Sequence, residues 1–346
     1  MLAKALPVLV LAVALAGCGG SPKPGSTSTG ASGTAKSLVG SGSTFVYPLV
    51  STWAGDYASR AGVTITYGAV GSGAGIAAIT SRSVDFGASD APLSADQVTA
   101  CKACVQIPWA LGGTAVTYNV RGAPAHLKLS GALIADMYLG TITHWDDPAI
   151  AALNPGVQLP ATRVTPVFRS DASGTTYNFS DYLSKVSAVW RSKVGVSTQL
   201  QFPAGQGAKG SSGVAGVVSH ADGAIAYVDV AYAQASHLAY AAVENAAGAF
   251  LLPTVASIKA AAAAAQSPKP NAAISLVQPP ASAANAYPIA TFTYVIVPNK
   301  APKAEALKAF LTYAVTTGQQ FGPKLLFAPL PSNVVAADRR AIAAIS

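Results

Sequence analysis

Hydrophobic residues follow two different periods along the chain. Short runs rich in β-branched and aromatic residues, flanked by glycine, proline and small polar residues, predict β-strands. These runs occupy residues 37–39, 63–67, 84–88, 105–108, 114–119, 165–168, 224–228 and 291–297. Stretches with apolar residues three and four positions apart predict helices between them, as at residues 46–57 and 306–315. Strands that alternate with helices predict an α/β fold.

Clusters of glycine and hydroxyl-bearing residues stand directly before three of the predicted helices. Two of them occupy residues 40–45 and 71–75, and the third, at residues 169–175, begins with an arginine. A helix start favours a bound anion, because it offers free backbone N–H groups and the positive end of the helix dipole. Glycine lets the backbone approach a ligand closely, and serine or threonine adds a neutral donor. Three such clusters in one chain predict an anion-binding site.

Arg169 is the candidate charged ligand in the third cluster. Its guanidinium presents a rigid fork of donors that matches a tetrahedral oxyanion, and residues 173–175 add hydroxyl and backbone N–H groups. Asp171, two residues further on, is a candidate partner that holds the guanidinium in place. The alternative for this cluster is an ordinary N-cap, since serine, threonine and aspartate often start helices and residues 177–183 continue as one.

The clusters, together with the Val-Asp-Phe-Gly-Ala-Ser-Asp-Ala-Pro-Leu segment at residues 84–93, resemble the phosphate-binding protein of bacterial high-affinity phosphate importers. The resemblance continues through residues 138–147, 153–156 and 223–228, so it spans nearly all of the mature chain. It implies the α/β two-lobed periplasmic-binding-protein fold of type II, in which each lobe is a central mixed sheet flanked by helices. The ligand contacts implied by the resemblance are Thr44, the backbone N–H of Phe45, Ser72, Asp90, Arg169, Ser173, Gly174 and Thr175, with Asp171 in support.

The same resemblance implies how the chain is divided. Residues 36–119 and 289–346 form lobe I, residues 120–288 form lobe II, and two hinge crossings lie near Asn119 and Pro288. The first four implied contacts then belong to lobe I and the other four to lobe II. A hinge closes productively only when the ligand binds the closed state better, and contacts from both lobes supply that difference.

Asp90 is unusual among anion-binding donors, because an ionised carboxylate can only accept hydrogen bonds. It therefore suits an oxyanion that still carries a proton, as phosphate does near neutral pH and sulfate does not. A sulfate facing Asp90 would oppose two acceptors in a desolvated site, which can cost about 10⁴ to 10⁵ in discrimination. We hypothesise that Asp90 rejects sulfate. The alternative is that Asp90 caps the turn before Ala91 and Pro92.

The resemblance implies that the protein is an extracytoplasmic receptor. It implies no enzymatic activity, no cofactor and no metal. The implied receptor binds inorganic phosphate and delivers it to a membrane permease driven by a cytoplasmic ATPase, and it acts as a monomer. Two alternatives stay open: a receptor for another oxyanion such as sulfate or molybdate, and a secreted phosphate-ester hydrolase. No serine is flanked by glycines two residues away on both sides, but spacing does not exclude a catalytic triad assembled in space. A third hypothesis is a surface lipoprotein that acts in adhesion and binds no small ligand tightly.

The beginning of the chain predicts export. A short basic start and an apolar run at residues 5–15 indicate a signal peptide over residues 1–17. The following Leu-Ala-Gly-Cys resembles the bacterial lipoprotein processing box, which implies lipidation of Cys18 and attachment to a membrane; a cleaved, unlipidated form is the alternative. Residues 18–35 are rich in serine, glycine, threonine and proline, which predicts a flexible tether.

Charge and cysteine content narrow the function further. The chain of 346 residues has a formal net charge of +8, but its lysines and arginines are scattered singly and no nucleic-acid-binding signature accompanies them. We therefore predict no nucleic-acid partner.

Cys101 and Cys104 predict a disulfide in an oxidising compartment, and a ring this small stabilises the fold by about 2 kcal/mol. The alternative is a thioredoxin-like redox pair. The four histidines are isolated, which argues against a metal site.

Overall fold

A computed structural model describes residues 36–265 and 274–346 of the chain. The predicted signal peptide, the lipidation site Cys18 and the tether lie outside the described residues. Among the residues that are described, no helix combines the length and the apolar character needed to cross a bilayer.

Strands and helices alternate along the chain. The strands are β1 (Ser37–Gly42), β2 (Thr64–Ala69), β3 (Phe86–Ser89), β4 (Cys104–Asn119), β5 (Lys128–Leu129), β6 (Thr165–Arg169), β7 (Gln206–Ala208), β8 (Ala224–Asp229), β9 (Ala239–Tyr240), β10 (Ala242–Glu244), β11 (Phe250–Leu251) and β12 (Ala290–Pro298). The helices are α1 (Tyr47–Ala61), α2 (Ser72–Thr80), α3 (Ala95–Cys101), α4 (Gly131–Leu139), α5 (Pro148–Leu153), α6 (Gly174–Val186), α7 (Ala188–Lys193), α8 (Gly210–His220), α9 (Val230–Ala235), α10 (Val255–Ala263), α11 (Ala304–Val315) and α12 (Ser332–Ala343), with a 3₁₀ helix at Thr317–Leu325.

One of the predicted strand boundaries is wrong. The runs at residues 105–108 and 114–119 are parts of the single strand β4, which is 16 residues long. Gly112 and Gly113 lie between the two predicted runs, and the neighbouring packing requires small residues there. A β-carbon on Gly112 would lie 2.6 Å from the Phe45 ring, and one on Gly113 would lie 3.0 Å from Ile258. The glycines therefore let side chains pack against a continuous buried strand.

The main sheet is mixed, and β4 joins its two halves. Within the described part of the chain its order is β2-β1-β3-β12-β4-β8-β6-β7, with β9 also paired to β4. The first part of β4 pairs antiparallel with β12 up to Gly113, and from Thr114 onward it pairs antiparallel with β8. Strands β1, β2 and β3 are parallel to one another, as are β6, β7 and β8. A separate sheet contains β11, β10 and β5.

Buried hydrophobic residues form cores on the two sides of the change in pairing on β4. One core contains Trp53, Phe86, Trp109 and Phe310, and the largest core on the other side contains Tyr138, Trp145 and Phe179. The protein thus has a two-lobed α/β fold, in which the first core belongs to lobe I and the second to lobe II.

The lobe boundaries at residues 119 and 288 stay predictions. Two features bear on them. The pairing of β4 changes at residues 113 and 114, which is five or six residues before the predicted crossing near Asn119. In addition, α10 lies in the stretch assigned to lobe II, yet its Ile258 is fully buried in the core of lobe I. Side-chain packing across the hinge region therefore does not follow chain position alone.

Cys101 and Cys104 are joined by a disulfide in the structure. Cys101 ends α3, Cys104 begins β4, and the two residues between them have positive φ angles of 45° and 63°. The Arg82 guanidinium donates to the Cys101 carbonyl oxygen at 2.7 Å and lies 3.3 Å from the Cys104 sulfur. Both cysteines are buried beside Ile76 and Ile79 of α2. The disulfide therefore closes the α3–β4 turn, and the Arg82 bond and the packing on α2 hold that turn in place.

Candidate functional site

The candidate site lies where strand ends from both lobes carry polar residues. In lobe I the parallel strands β1 and β3 are neighbours, with Gly42 opposite Ala88, so the residues that follow them come together. In lobe II, Arg169 is the last residue of β6. Ligands of α/β proteins bind beyond the carboxyl ends of such strands, where loops lead into helix N-termini.

Arg169 is buried, with 4% of its surface exposed, and its guanidinium contacts both lobes. Nε donates to Asp171 Oδ1 at 2.7 Å, Nη2 pairs with the other Asp171 oxygen, and Nη1 donates across to Thr44 Oγ1 at 3.1 Å. Burial works to raise the pKa of Asp171, but the hydrogen bonds and charge of Arg169 outweigh it, and that pKa lies below its usual value. Asp171 therefore stays ionised and holds the fork of Arg169 in one orientation.

Asp90 follows β3 and is 2% exposed. Ser43 Oγ donates to its Oδ1 at 2.5 Å, and Ser72 Oγ donates to its Oδ2 at 3.4 Å. Burial raises the pKa of Asp90 to about 6, although the Ser43 hydrogen bond, the Arg169 charge and the Ser72 hydrogen bond each lower it. The carboxylate is thus ionised at neutral pH and keeps acceptor capacity beyond its two serine partners.

The two lobes meet closely beside Asp90. Gly174, the first residue of α6, donates its backbone N–H to Ser72 Oγ at 3.1 Å, and the backbone N–H of Gly73 donates to the Ala172 carbonyl at 3.0 Å. A β-carbon on Gly174 would lie 2.6 Å from that of Asp90. Glycine is therefore required for this approach.

The remaining predicted residues surround this region with fewer direct contacts. Ser173 is the N-cap of α6, because its Oγ accepts a hydrogen bond from the backbone N–H of Thr176 at 3.3 Å. Its side chain therefore has the role that the N-cap alternative predicted. Thr175 Oγ1 is buried and has no hydrogen-bond partner among the described residues. The Phe45 ring packs edge-on against Phe327, with centroids 5.9 Å apart, which leaves its backbone N–H as the predicted contact.

Three further residues at the site were missed by the sequence analysis. Ser211 lies in the first turn of α8, with Oγ 2.8 Å from Thr44 Oγ1 and its backbone N–H donating to the same oxygen at 3.3 Å. Ser43 bonds Asp90, as described above. Asp229 is fully buried at the end of β8, where burial first, and the charge of Asp90 in addition, raise its pKa well above the usual value.

A local signal for one of the missed residues was present. Gly210 and the serines that follow it repeat the glycine-hydroxyl pattern of the other helix starts, although the sequence analysis did not include them among the clusters. The backbone N–H of Gly210 in fact donates to Asp171 Oδ1 at 2.9 Å. Ser43 lies within the cluster at residues 40–45, but its bond to Asp90 and the burial of Asp229 depend on contacts between distant segments, which no local pattern encodes.

The assembled groups favour a small oxyanion. One guanidinium, neutral hydroxyls and the N-termini of α2, α6 and α8 supply donors. Asp171 accepts from Arg169 and Gly210, and Asp90 supplies a carboxylate acceptor bonded to two serines. Within residues 36–265 and 274–346, no three histidine, cysteine, aspartate or glutamate side chains are grouped closely enough to hold a metal ion.

Comparisons with known proteins agree on one family. A family model described as the PBP superfamily domain matches residues 27–317. The phosphate-binding protein PstS of Xylella fastidiosa (strain Temecula1 / ATCC 700964) is 41% identical, with 94% of this chain and 93% of that protein covered. The phosphate-binding protein PstS of Pasteurella multocida (strain Pm70) is 38% identical, with 87% and 88% covered.

Solved structures agree on the fold. A high affinity periplasmic phosphate-binding protein, PfluDING, bound with phosphate, is similar with a TM-score of 0.71 and 23% identity over 88% of this chain and 93% of that chain. A phosphate binding protein from Stenotrophomonas maltophilia is similar with a TM-score of 0.65 and 18% identity over 88% and 94%. At these identities the two likenesses bear on the fold alone.

Proposed function

We propose that this chain, which belongs to the PstS phosphate-binding proteins of the PBP superfamily, binds inorganic phosphate between its lobes. The relatives are named for binding rather than for catalysis, and we assign this chain the same role, as a binding protein and not an enzyme. The assigned ligand contacts are Thr44, the Phe45 backbone, Ser72, Asp90, Arg169, Ser173, Gly174 and Thr175.

The observation that carries this proposal is the convergence of Arg169 and Asp90 from different lobes on one buried region. Arg169 reaches Thr44 of lobe I, while Ser72 of lobe I contacts both Asp90 and Gly174. The buried Thr175 hydroxyl has no partner within the part of the chain that the structure describes, and an anion would satisfy it, because buried polar groups normally have a hydrogen-bond partner. One positive charge and several neutral donors suit a small tetrahedral anion.

Asp90 gives the proposed site its selectivity. With a pKa of about 6 it is mostly ionised at neutral pH, so it accepts a hydrogen bond from the proton of HPO₄²⁻ or H₂PO₄⁻. Sulfate carries no proton at this pH and would face the carboxylate with an unprotonated oxygen. The resulting acceptor pair, buried from water, is unfavourable and excludes sulfate.

Delivery of the bound phosphate is the second part of the proposal. Contacts from both lobes stabilise the closed arrangement, and opening of a hinge near the predicted crossings releases the anion. We propose that a membrane permease with its ATPase, in an ABC-type importer, receives it. The protein acts outside the cytoplasm as a monomer, held to the membrane by lipid on Cys18 and by the tether of residues 18–35. Mass spectrometry of the purified chain, which detects an acyl mass on Cys18, tests the anchor.

Isothermal titration calorimetry tests the binding function. The protein is stripped of bound anion and titrated with phosphate, sulfate and molybdate, and we expect heat from phosphate alone. Arg169→Lys keeps the charge but loses the two-pronged fork, so we expect its phosphate affinity to fall at least tenfold. Arg163→Lys, at an exposed position of the same lobe, is the matched control.

Two outcomes would contradict the proposal. Tight sulfate or molybdate binding would identify the protein as a receptor for a different oxyanion. The absence of heat from every anion, combined with hydrolysis of p-nitrophenyl phosphate, would identify a phosphate-ester hydrolase instead.

A further inference from the structure

Asn178 joins the two lobes without belonging to the assigned ligand contacts. It lies on α6 of lobe II, 5% exposed, and its Nδ2 donates to the backbone carbonyl of Asp90 in lobe I at 2.8 Å. The same nitrogen donates to the Gly174 carbonyl, four residues earlier on the helix, at 2.9 Å. The amide orientation follows from chemistry, because both partners are carbonyl oxygens and only the NH₂ end of the side chain can donate to them.

The position of Asn178 along α6 directs this bond to the backbone of Asp90, the residue to which we assign sulfate exclusion. Residues four apart share one face of a helix, so Asn178 stands one turn behind Gly174, which itself lies against Asp90. Gly174 thus lets the helix approach the Asp90 backbone, and Asn178 bonds to it. A second side chain, Thr291 of lobe I, also donates to the Asp90 carbonyl, but its Oγ1 lies 3.4 Å away.

We propose that Asn178 is a positioning residue, an interlobe latch that fixes the Asp90 backbone and slows release of the bound anion. This inference rests on the proposed function, since it requires that lobe closure traps phosphate. The bond from Asn178 to Asp90 exists only while the lobes are together, so it stabilises the closed arrangement and not the open one. Loss of a bond that counts only in the closed state raises the release rate and leaves the encounter with phosphate unchanged.

The chain offers a closely matched control at Asn154. Its Nδ2 also donates to two carbonyls, those of Ile150 four residues earlier and Lys128, at 2.9 and 3.0 Å. Asn154 is 7% exposed, and all of these partners lie in lobe II. A leucine at either position removes a buried amide nitrogen that donates to two carbonyls, and at Asn154 it also removes the bond that Oδ1 accepts from the Lys128 backbone N–H at 2.8 Å. The change at Asn178 removes a bond between the lobes, whereas all of these bonds of Asn154 lie within lobe II.

The experiment measures phosphate association and release by stopped flow, using the full chain and its variants Asn178→Leu and Asn154→Leu. We expect Asn178→Leu to release phosphate about five to ten times faster, the ratio that corresponds to one hydrogen bond, with an unchanged association rate. Asn154→Leu is expected to lower the melting temperature and to leave both phosphate rates within twofold of the parent. Asn178→Ser, whose short side chain does not span to Asp90, is expected to repeat the faster release if the leucine variant folds poorly.

The outcomes separate the latch from the binding function. A parent protein that binds no phosphate refutes the proposed function. A parent that binds phosphate, with Asn178→Leu and Asn178→Ser releasing it at the parent rate, refutes the latch and leaves the function standing. Equal acceleration by Asn178→Leu and Asn154→Leu also refutes the latch, because it assigns the effect to general loss of stability.

Discussion

Gly174→Ala is expected to weaken phosphate binding because it prevents full closure of the lobes, while the anion-free protein, in which the proposed hinge can open, keeps its stability. The added β-carbon would lie 2.6 Å from the Asp90 β-carbon and 2.6 Å from the Ala91 nitrogen, whereas ordinary van der Waals contact begins at 3.4 Å. The lobes must therefore separate by about 0.8 Å at this point, the difference between these two distances. The helix itself tolerates the change, because alanine is a better helix former than glycine.

The size of the effect follows from the hydrogen bonds that span the lobes beside Gly174. Three of them are close to the added methyl group: Gly174 N to Ser72 Oγ at 3.1 Å, Gly73 N to the Ala172 carbonyl at 3.0 Å, and Asn178 Nδ2 to the Asp90 carbonyl at 2.8 Å. Stretching each by about 0.8 Å carries it beyond the range of a real hydrogen bond. At ~1 kcal/mol each, their loss amounts to about 3 kcal/mol, or roughly a hundredfold in Kd.

Calorimetric titration with phosphate and thermal unfolding of the anion-free protein together test this reasoning. Gly216→Ala is the control, because Gly216 lies inside α8 and a β-carbon there meets no atom within 4 Å. We expect the control to raise stability by up to ~1 kcal/mol and to bind phosphate as the parent does. If Gly174→Ala binds phosphate within threefold of the parent, the close approach at Asp90 is not needed for binding and the argument is wrong.

Three further predictions concern Asp90, Asp338 and the disulfide. Because burial raises the pKa of Asp90 to about 6, the folded state holds its proton more tightly than the unfolded state, so anion-free stability should fall as pH rises from about 4 to about 6. Asp90→Asn should flatten that part of the melting profile and admit sulfate in calorimetry; unchanged sulfate exclusion would contradict its assigned role. Burial likewise raises the pKa of Asp338 on α12 to about 8, and its Oδ2 lacks a partner among the described residues. Asp338→Asn should therefore melt higher than the parent at pH 8 and bind phosphate equally well, and a lower melting temperature there would show that the carboxylate is stabilised by its surroundings. Replacing Cys101 and Cys104 by serine should lower the free energy of unfolding in urea by about 2 kcal/mol, an effect that a reductant should reproduce in the parent but not in the variant.

Local patterns in the sequence were sufficient for many of the strands and helices and for three clusters of candidate anion donors. Glycine and hydroxyl clusters before apolar helical periods predicted the helix starts at α1, α2 and α6, because capping and backbone exposure are properties of a few consecutive residues. The same clusters contained Thr44, Ser72 and Arg169, which the fold brings to one region. The resemblance to the phosphate-binding family supplied the two-lobed arrangement, which periodicity alone does not encode.

Only the tertiary structure decided which distant groups touch. Asn178 appears in the sequence as an ordinary polar residue on a helix, and its role emerges because lobe closure sets it against a carbonyl 88 residues away. Ser211 meets Thr44 across 167 residues, and burial rather than any neighbour in the chain raises the pKa values of Asp90 and Asp229. Sequence by itself determined where the chain forms helices and offers donors, since those depend on local chemistry. Tertiary packing decided which of these groups contact one another, how deeply they are buried and how their pKa values shift, since those properties depend on segments that folding brings together.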